Sequence, residues 1–319
     1  MLRALLLYLS KAPWARRIVM GWRVARRATR RFISGETIED AIKASLSLNQ
    51  EGLYVTIDHL GENVTSVEET KQAAAHYLEL LESLQRAGVQ GSISVKLSQM
   101  GQSIEASLCH ENIRGIVEKA KSMGTYVRLD IEDSPTIDRT LQTFHQLKSE
   151  GFDNVGPAIQ SYLYRSQEDV AQILKAGGHI RLCKGAYKEP AEVAFQRMAE
   201  VNANFDKLTM MMIDSAMADG AQPANPDGKA PPVTAIASHD VKRVNFAKEY
   251  AAKVGFSKQA LEFQMLLGIR PDLQRSLAAE GYPVRVYLPH GAEWYPYYMR
   301  RLAERPANLW FFISNFFRR

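Results

Sequence analysis

The stretch LYVTIDHLGENVT, residues 53–65, decides between the two parallel architectures open to this chain. Its first six residues form an apolar, β-branched run that reads as a strand. An open doubly wound sheet usually follows its first strand with a glycine-rich turn, GxGxxG or GxxxxGK[ST], which lays backbone amides against phosphates. Here the strand runs into DHLGENVT, which is neither. A closed barrel needs no such turn and carries its chemistry at the strand ends instead.

Seven more runs of the same kind follow: SISVKL (92–97), YVRLDI (126–131), NVGPAIQ (154–160), HIRLCK (179–184), VTAIAS (233–238), LEFQM (261–265) and VRVYL (284–288). Helical patterns separate them, among them SVEETKQAAAHYLELLESLQ and the long PAEVAFQRMAEVNANFDKLTMMMIDSAMA. Ser66 with Glu69 three residues on, and Asp133-Ser134-Pro135, mark helix starts. Alternating strands and helices imply a parallel sheet, and eight such units over about 270 residues match a (β/α)8 TIM-type barrel. The expected division is an N-terminal basic helical arm over residues 1–50 and a barrel over 51–319. The segment GAQPANPDGKAPP (220–232) reads as a surface loop on the bottom face, away from chemistry.

At 46% hydrophobic and 24% charged residues the composition is that of a soluble globular protein. Two distant cysteines, Cys109 and Cys183, allow neither a disulfide framework nor a CxxC zinc pattern and fit a reducing cytosol. The net charge of +5 is unevenly placed: residues 1–35 hold nine Arg or Lys and no acid. The remaining 31 basic residues face all 35 acidic ones, so the body is mildly acidic and argues against a nucleic-acid-binding body. The arm's longest apolar run, ALLLYL, is too short to span a bilayer, and no cleavage site follows a proper hydrophobic region. Two readings of the arm stay open: a helix packed on the acidic body, and a basic amphipathic helix on an anionic membrane. The aromatic, basic-tipped ANLWFFISNFFRR at the other end adds weight to the second.

The strand ends carry Asp58 and His59; Lys96; Asp130, Glu132 and Asp133; Gln160; Arg181 and Lys184; Ser238, His239 and Asp240; Glu262 and Gln264; and Tyr287 and His290. A ring of buried polar groups drawn from nearly every strand is costly without partners, and a large polar ligand at the barrel mouth explains it. Lys96, Arg181, Lys184, Arg300 and Arg301 oppose a divalent ion, so no metal is expected; five cations point to phosphates or carboxylates. In YPYYMRRLAERP (295–306), Tyr297, Arg300, Arg301 and Glu304 share one helical face. Spacing alone makes this a solvated ion-pair face. Its place directly after the eighth strand turns the arginines toward the mouth as a carboxylate clamp.

Taken together, VKLSQ (95–99), VRLDIED (127–133), IQSYLYR (159–165), RLCKGAYKEP (181–190), ASHD (237–240), EFQMLLGIRP (262–271), RVYLPHG (285–291) and YPYYMRRLAERPANL (295–309) resemble the proline dehydrogenase family, most closely its short single-function bacterial members. The resemblance runs from about residue 30 to the C-terminus. It implies a distorted (β/α)8 barrel carrying FAD that oxidises L-proline to Δ1-pyrroline-5-carboxylate and passes electrons to a membrane quinone. It implies Asp130 and Arg181 as the catalytic pair, Arg181 lying also against the flavin. Lys96, Leu182, Tyr187, Tyr287, Tyr297, Arg300 and Arg301 would bind proline. Ile131, Gln160, Lys184, Gly185, Ala186, Ser238, His239 and Glu262 would hold the cofactor, and Glu304 would support the arginine pair. Cys183 and Ser238 stand where relatives commonly have Val and Thr, both conservative in size. The resemblance further implies a cytoplasmic enzyme, peripheral at the inner face of the membrane, that hands its product to pyrroline-5-carboxylate dehydrogenase. Glu62, a lone acid in the Gly-containing loop after the first strand, is a candidate lid residue pairing with Arg300. Two other classes remain: a flavin-free barrel for a phosphate-bearing substrate, and a membrane- or nucleic-acid-associated structural protein driven by the arm.

Overall fold

The computed structural model describes residues 12, 14, 31–61, 64–220 and 223–304, with side chains as far as Met299. Eight strands, β1 (Tyr54–His59), β2 (Gly91–Lys96), β3 (Val127–Asp130), β4 (Val155–Gln160), β5 (Ile180–Cys183), β6 (Thr234–Ala237), β7 (Leu261–Leu266) and β8 (Val284–His290), pair in sequence order and close β8 onto β1. Every pairing is parallel. Each run proposed from the sequence became one of these strands.

Nine α-helices are seen among the described residues: α1 (Ile38–Gln50), α2 (Val67–Ala87), α3 (Ala106–Ser122), α4 (Ile137–Ser149), α5 (Ser166–Lys175), α6 (Met198–Ala218), α7 (Val241–Val254), α8 (Pro271–Ala279) and α9 (Trp294–Glu304). The start of α2 is set by a capping box. Ser66 Oγ accepts from Glu69 N at 3.2 Å and the Glu69 carboxylate accepts from Ser66 N at 3.3 Å. Gly88, left-handed at φ 66°, ends it. Tyr77, Leu80, Leu81 and Leu84 form its buried stripe at i, i+3, i+4 and i+7. Each such side chain contributes about 1.5–3 kcal/mol by burial, so Leu80→Ala alone would cost about 2–5 kcal/mol.

Three local expectations change. The helix proposed from Pro190 begins only at Met198. Residues before it use their backbone to pair with the β4–α5 connection: Tyr164 N donates to Val193 O at 3.1 Å and Phe195 N to Tyr162 O at 2.8 Å. Residues 38–50, grouped by sequence with the arm, form α1, which lies against β1 and β8 and buries Ile38 and Ala41 in the main core. The loop before β6 is more than surface. Gly228 O accepts from Arg285 Nη1 at 2.8 Å, Lys229 O from Tyr126 N at 3.1 Å, and Pro231 O pairs with His179 Nδ1 at 2.8 Å, so this loop closes the barrel floor. Gly228 sits at φ 66° where a Cβ would fall 2.2 Å from the Tyr54 ring, so only glycine lets the loop approach.

Side-chain alternation sorts each strand into a barrel-facing and a helix-facing set. The helix-facing residues, such as Val55, Ile57, Ile93, Val95, Leu129, Ile159, Leu182, Ile236 and Phe263, join the main hydrophobic core. The barrel-facing set is polar. On the floor the Arg285 guanidinium is bidentate to Glu262 (2.9 and 3.0 Å), both fully buried. A second, smaller core of Phe32, Ile33, Leu60, Ile269, Trp294, Tyr295, Tyr297, Tyr298 and Met299 seats α9 near the ends of β1, β7 and β8. Ser34 N→Pro289 O and Gly291 N→Gly35 O, both 3.0 Å, tie the entering chain to the end of β8. No helix among the described residues is long and apolar enough to cross a membrane.

Candidate active site

Barrel-facing residues near the ends of β1, β2, β3 and β8 meet in one ion-pair network. Lys96 Nζ donates to Asp58 Oδ1 at 2.6 Å and to Tyr287 OH at 3.2 Å, and lies 3.9 Å from Asp130 Oδ2. Asp130 is the hub. Its Oδ1 accepts from Arg181 Nη1 at 2.6 Å and Ser94 Oγ at 3.1 Å, and its Oδ2 from Tyr287 OH at 2.8 Å. Arg181 reaches there across the barrel from β5, with Nε donating to Gln264 Oε1 of β7 at 2.5 Å and Nη1 to Ser94 Oγ at 2.9 Å. Its guanidinium and the Lys96 ammonium also stand 5.2 and 5.9 Å from the centre of the Tyr287 ring. Burial, with the Asp130 charge adding to it, pushes the Tyr287 phenol well above its ordinary value, so it stays a hydroxyl donor.

Two cations and two carboxylates, all at most slightly exposed, hold one another rigid. A buried Arg181 Nη2 and the Oε1 of Gln160 have no hydrogen-bond partner among the described residues. Unpaired polar atoms of this kind at a strand-end rim are the mark of a site built for a ligand.

The opposite arc of the rim, β3 to β6, is different in character. Gln160 Nε2 donates to Glu132 O at 3.2 Å and reaches Ile131 O at 3.4 Å. Lys184 is held by Asp240 at 2.6 Å, and Asp240 also caps α7 through Lys242 N. Ser238 Oγ accepts from Asp240 N at 3.2 Å. His239 Nε2 accepts from Leu266 N at 2.9 Å, which leaves the proton of the neutral ring on Nδ1. Gly185 has φ 111°, and a Cβ there would lie 2.5 Å from the Tyr162 ring. Lys184, Gly185 and Ala186 therefore offer a backbone cradle beside a cation, suited to a phosphate-bearing chain. Cys183 is pushed up to about 12 by burial, so its thiol is inert.

Two residues named from the resemblance lie elsewhere. Leu182 alternates with the barrel-facing Arg181, so it points to the helix layer, fully buried in the main core. The apolar residue at the mouth is Leu266, the last of β7, which packs against the Tyr297 cluster. Glu262 sits on the barrel floor, where its carboxylate is consumed by Arg285 and by Gln264 Nε2 at 2.5 Å. Leu182 is one residue out of phase with the barrel-facing set, whereas Glu262 faces the barrel but lies too low in its strand. Tyr187 is exposed on the β5–α6 connection, and Tyr297 is buried in the second core. Arg300, Arg301 and Glu304 lie on α9, their side chains outside the described residues, and Glu62 lies outside them altogether.

Sequence reasoning passed over Asp58 as the Lys96 partner, and Ser94 and Gln264 as holders of Arg181. Their signal was present: all three face the barrel from the same strands. His59 and His290, read from the sequence with the residues of the mouth, instead meet His76, which was passed over, outside the barrel wall. Nothing in their spacing announces this.

A closed parallel barrel with a buried cation–carboxylate network at its C-terminal mouth defines a barrel enzyme for a small, polar substrate. Residues 41–313 match the family model described as proline dehydrogenase. The proline dehydrogenase of Deinococcus radiodurans is 40% identical over 297 residues, covering 92% of this chain and 90% of that one. Proline dehydrogenase 1 of Bacillus subtilis is 36% identical over 314 residues, 98% of each chain. Among solved structures, proline utilization A from Bdellovibrio bacteriovorus, inactivated by N-propargylglycine, superposes with a TM-score of 0.77 at 25% identity. That match covers 88% of this chain and 33% of the longer one. The chain belongs to the proline dehydrogenase family, oxidoreductases that oxidise proline in proline catabolism.

Proposed function

We propose that this chain oxidises L-proline to Δ1-pyrroline-5-carboxylate with FAD as its cofactor and a membrane quinone as the electron acceptor. The single observation that carries the reading is the division of the barrel rim. A cation-bearing substrate arc on β8, β1 and β2 faces a cradle-forming arc on β3 to β6, with Arg181 between them.

Bound FAD would supply a hydride acceptor for proline C5 and a relay of electrons to quinone. The residues fit such a group. Gly185 keeps its backbone open, Lys184 is held in place by Asp240, and Gln160 Oε1 and Arg181 Nη2 have no hydrogen-bond partner among the described residues. Ser238, His239 and the backbone of Ile131 and Ala186 complete that arc.

The substrate carboxylate would be held by Arg300 and Arg301 with Lys96, since guanidinium forks bind carboxylates in two-point fashion. Leu266, Tyr287 and Tyr297 supply apolar surface for the pyrrolidine ring, with Tyr187 at the outer edge. Asp130 keeps Arg181 and Tyr287 oriented, and Asp58 does the same for Lys96. This positioning is most of what the protein must contribute. Glu304 would brace the arginine pair from one turn on, and Glu62 would close over the mouth. The arm before residue 31 and the tail after residue 304 are the segments for peripheral membrane contact at the cytoplasmic face. Hand-over of product to pyrroline-5-carboxylate dehydrogenase completes the route.

Arg300→Met and Arg301→Met test the clamp. Each removes one charge-assisted pair to the carboxylate, about 1.5–3 kcal/mol, so the proline KM should rise roughly 10- to 150-fold while the protein stays yellow. An unchanged KM in both variants would remove the clamp from the account.

A further inference from the structure

We propose that His59, His76 and His290 form a binding site for one divalent transition-metal ion, a site separate from the barrel mouth. His59 ends β1 and His290 ends β8, where the two strands pair and the barrel closes. Both face outward, and His76 of α2 covers them. The ring centroids are 3.9 Å apart for His59–His76, 5.2 Å for His59–His290 and 5.1 Å for His76–His290.

The nitrogens converge as ligands do. One ring nitrogen from each histidine lies within 4.8 Å of the others, and His76 Nε2 is 3.5 Å from His290 Nε2. Two imidazoles on one tetrahedral zinc, each at about 2.0–2.1 Å, put their nitrogens about 3.4 Å apart. That pair therefore needs almost no movement, and His59 needs only a small side-chain adjustment. As a hydrogen bond, 3.5 Å is poor. It also leaves the buried Nδ1 atoms of His59 and His290 with no partner among the described residues. Room for the His59 ring comes from Gly291, where a Cβ would fall 3.1 Å from Nδ1.

The chemistry selects the ion. Three imidazoles without a carboxylate among them suit zinc, copper or nickel and exclude magnesium and calcium, which need oxygen ligands. The charge of Glu79, one turn along α2, acts on His76 and favours a cation. The Lys96 charge acts on His59 in the opposite sense, but Asp58 offsets it at 2.6 Å. His59 and His76 are only half-buried, so water can complete the coordination. A metal here would staple β1, β8 and α2 together one residue from Asp58, the anchor of Lys96.

The experiment uses the full-length protein dialysed against a chelator, titrated with zinc chloride in competition with a chromophoric chelator, and with cobalt(II) followed by its visible d–d bands. The expected result is one equivalent of zinc, a rise in Tm on binding, and cobalt bands of low coordination number. His76→Gln, on the half-exposed helix, and His290→Phe should each weaken zinc binding by at least about tenfold. If His290→Phe does not fold, His76→Gln decides. Absence of saturable one-to-one binding overturns the proposal. So does zinc affinity in the variants equal to the parent's, which would mean an adventitious ion only, held elsewhere.

Discussion

Replacing Asp130 by Asn changes one oxygen into an amide nitrogen and removes a charge from the centre of the mouth. The carboxylate accepts four donors or near-donors: Arg181 Nη1 at 2.6 Å, Tyr287 OH at 2.8 Å, Ser94 Oγ at 3.1 Å and, more distantly, Lys96 Nζ at 3.9 Å. In the amide, one of the two oxygen positions becomes a donor facing a donor. Either Arg181 or Tyr287 then loses an acceptor, and Arg181 loses the carboxylate that stands against it at 2.6 Å, while Lys96 keeps Asp58. One lost hydrogen bond to a charged group is worth about 1.5–3 kcal/mol, and breaking a buried pair about 3–5 kcal/mol. The side chains of Arg181 and Asp130 are 7% and 12% exposed, so solvent relieves little of this. The expected outcome is a folded, flavin-retaining protein of lower Tm, with kcat/KM for proline down roughly 10- to 150-fold. Stopped-flow reduction by proline, beside Asp58→Asn as a control that frees only Lys96, separates the two anchors. A variant with kcat/KM within about twofold of the parent and an unchanged Tm would refute the hub role, because the network would then carry no energy.

The floor and the pH response give two further tests. Glu262→Gln strips Arg285 of its buried counter-ion and should cost about 3–5 kcal/mol of stability, read by urea unfolding, with little change in the proline KM; loss of flavin without loss of stability would contradict its placement on the floor. His179 is pushed down to about 4, chiefly by burial, from an unfolded value of 6.5. Between these values the unfolded chain binds the proton more readily, so stability is complete above pH 6.5 and falls as pH drops toward 4. At pH 5 the loss is about 2 kcal/mol for this group. His179→Asn should flatten the difference between urea midpoints at pH 7 and pH 5, and an unaltered difference would show that other groups carry it.

The strands were legible because both signals agreed locally: β-branched runs of strand length, and caps such as Ser66 with Glu69 between them. The start of α6 was not, because residues 190–197 are amphipathic enough for a helix but spend their backbone on the β4–α5 connection, a tertiary choice. At the site, identities such as Lys96, Asp130, Arg181 and Tyr287 were readable from strand-end position. Facing was not. Leu182 and Glu262 were misplaced because one residue of phase, or half a strand of height, separates mouth from core or floor. The meeting of the three histidines gave no linear signal: His59 and His290 were read only as strand-end residues, and they join His76 only when β8 closes on β1.

Anaerobic titration of the purified protein with L-proline, followed through the visible flavin band, bears most directly on the central claim. The account predicts a yellow protein whose band bleaches with proline and returns on adding a quinone. A colourless protein that takes up no FAD, or a yellow one that proline leaves unbleached, would contradict it.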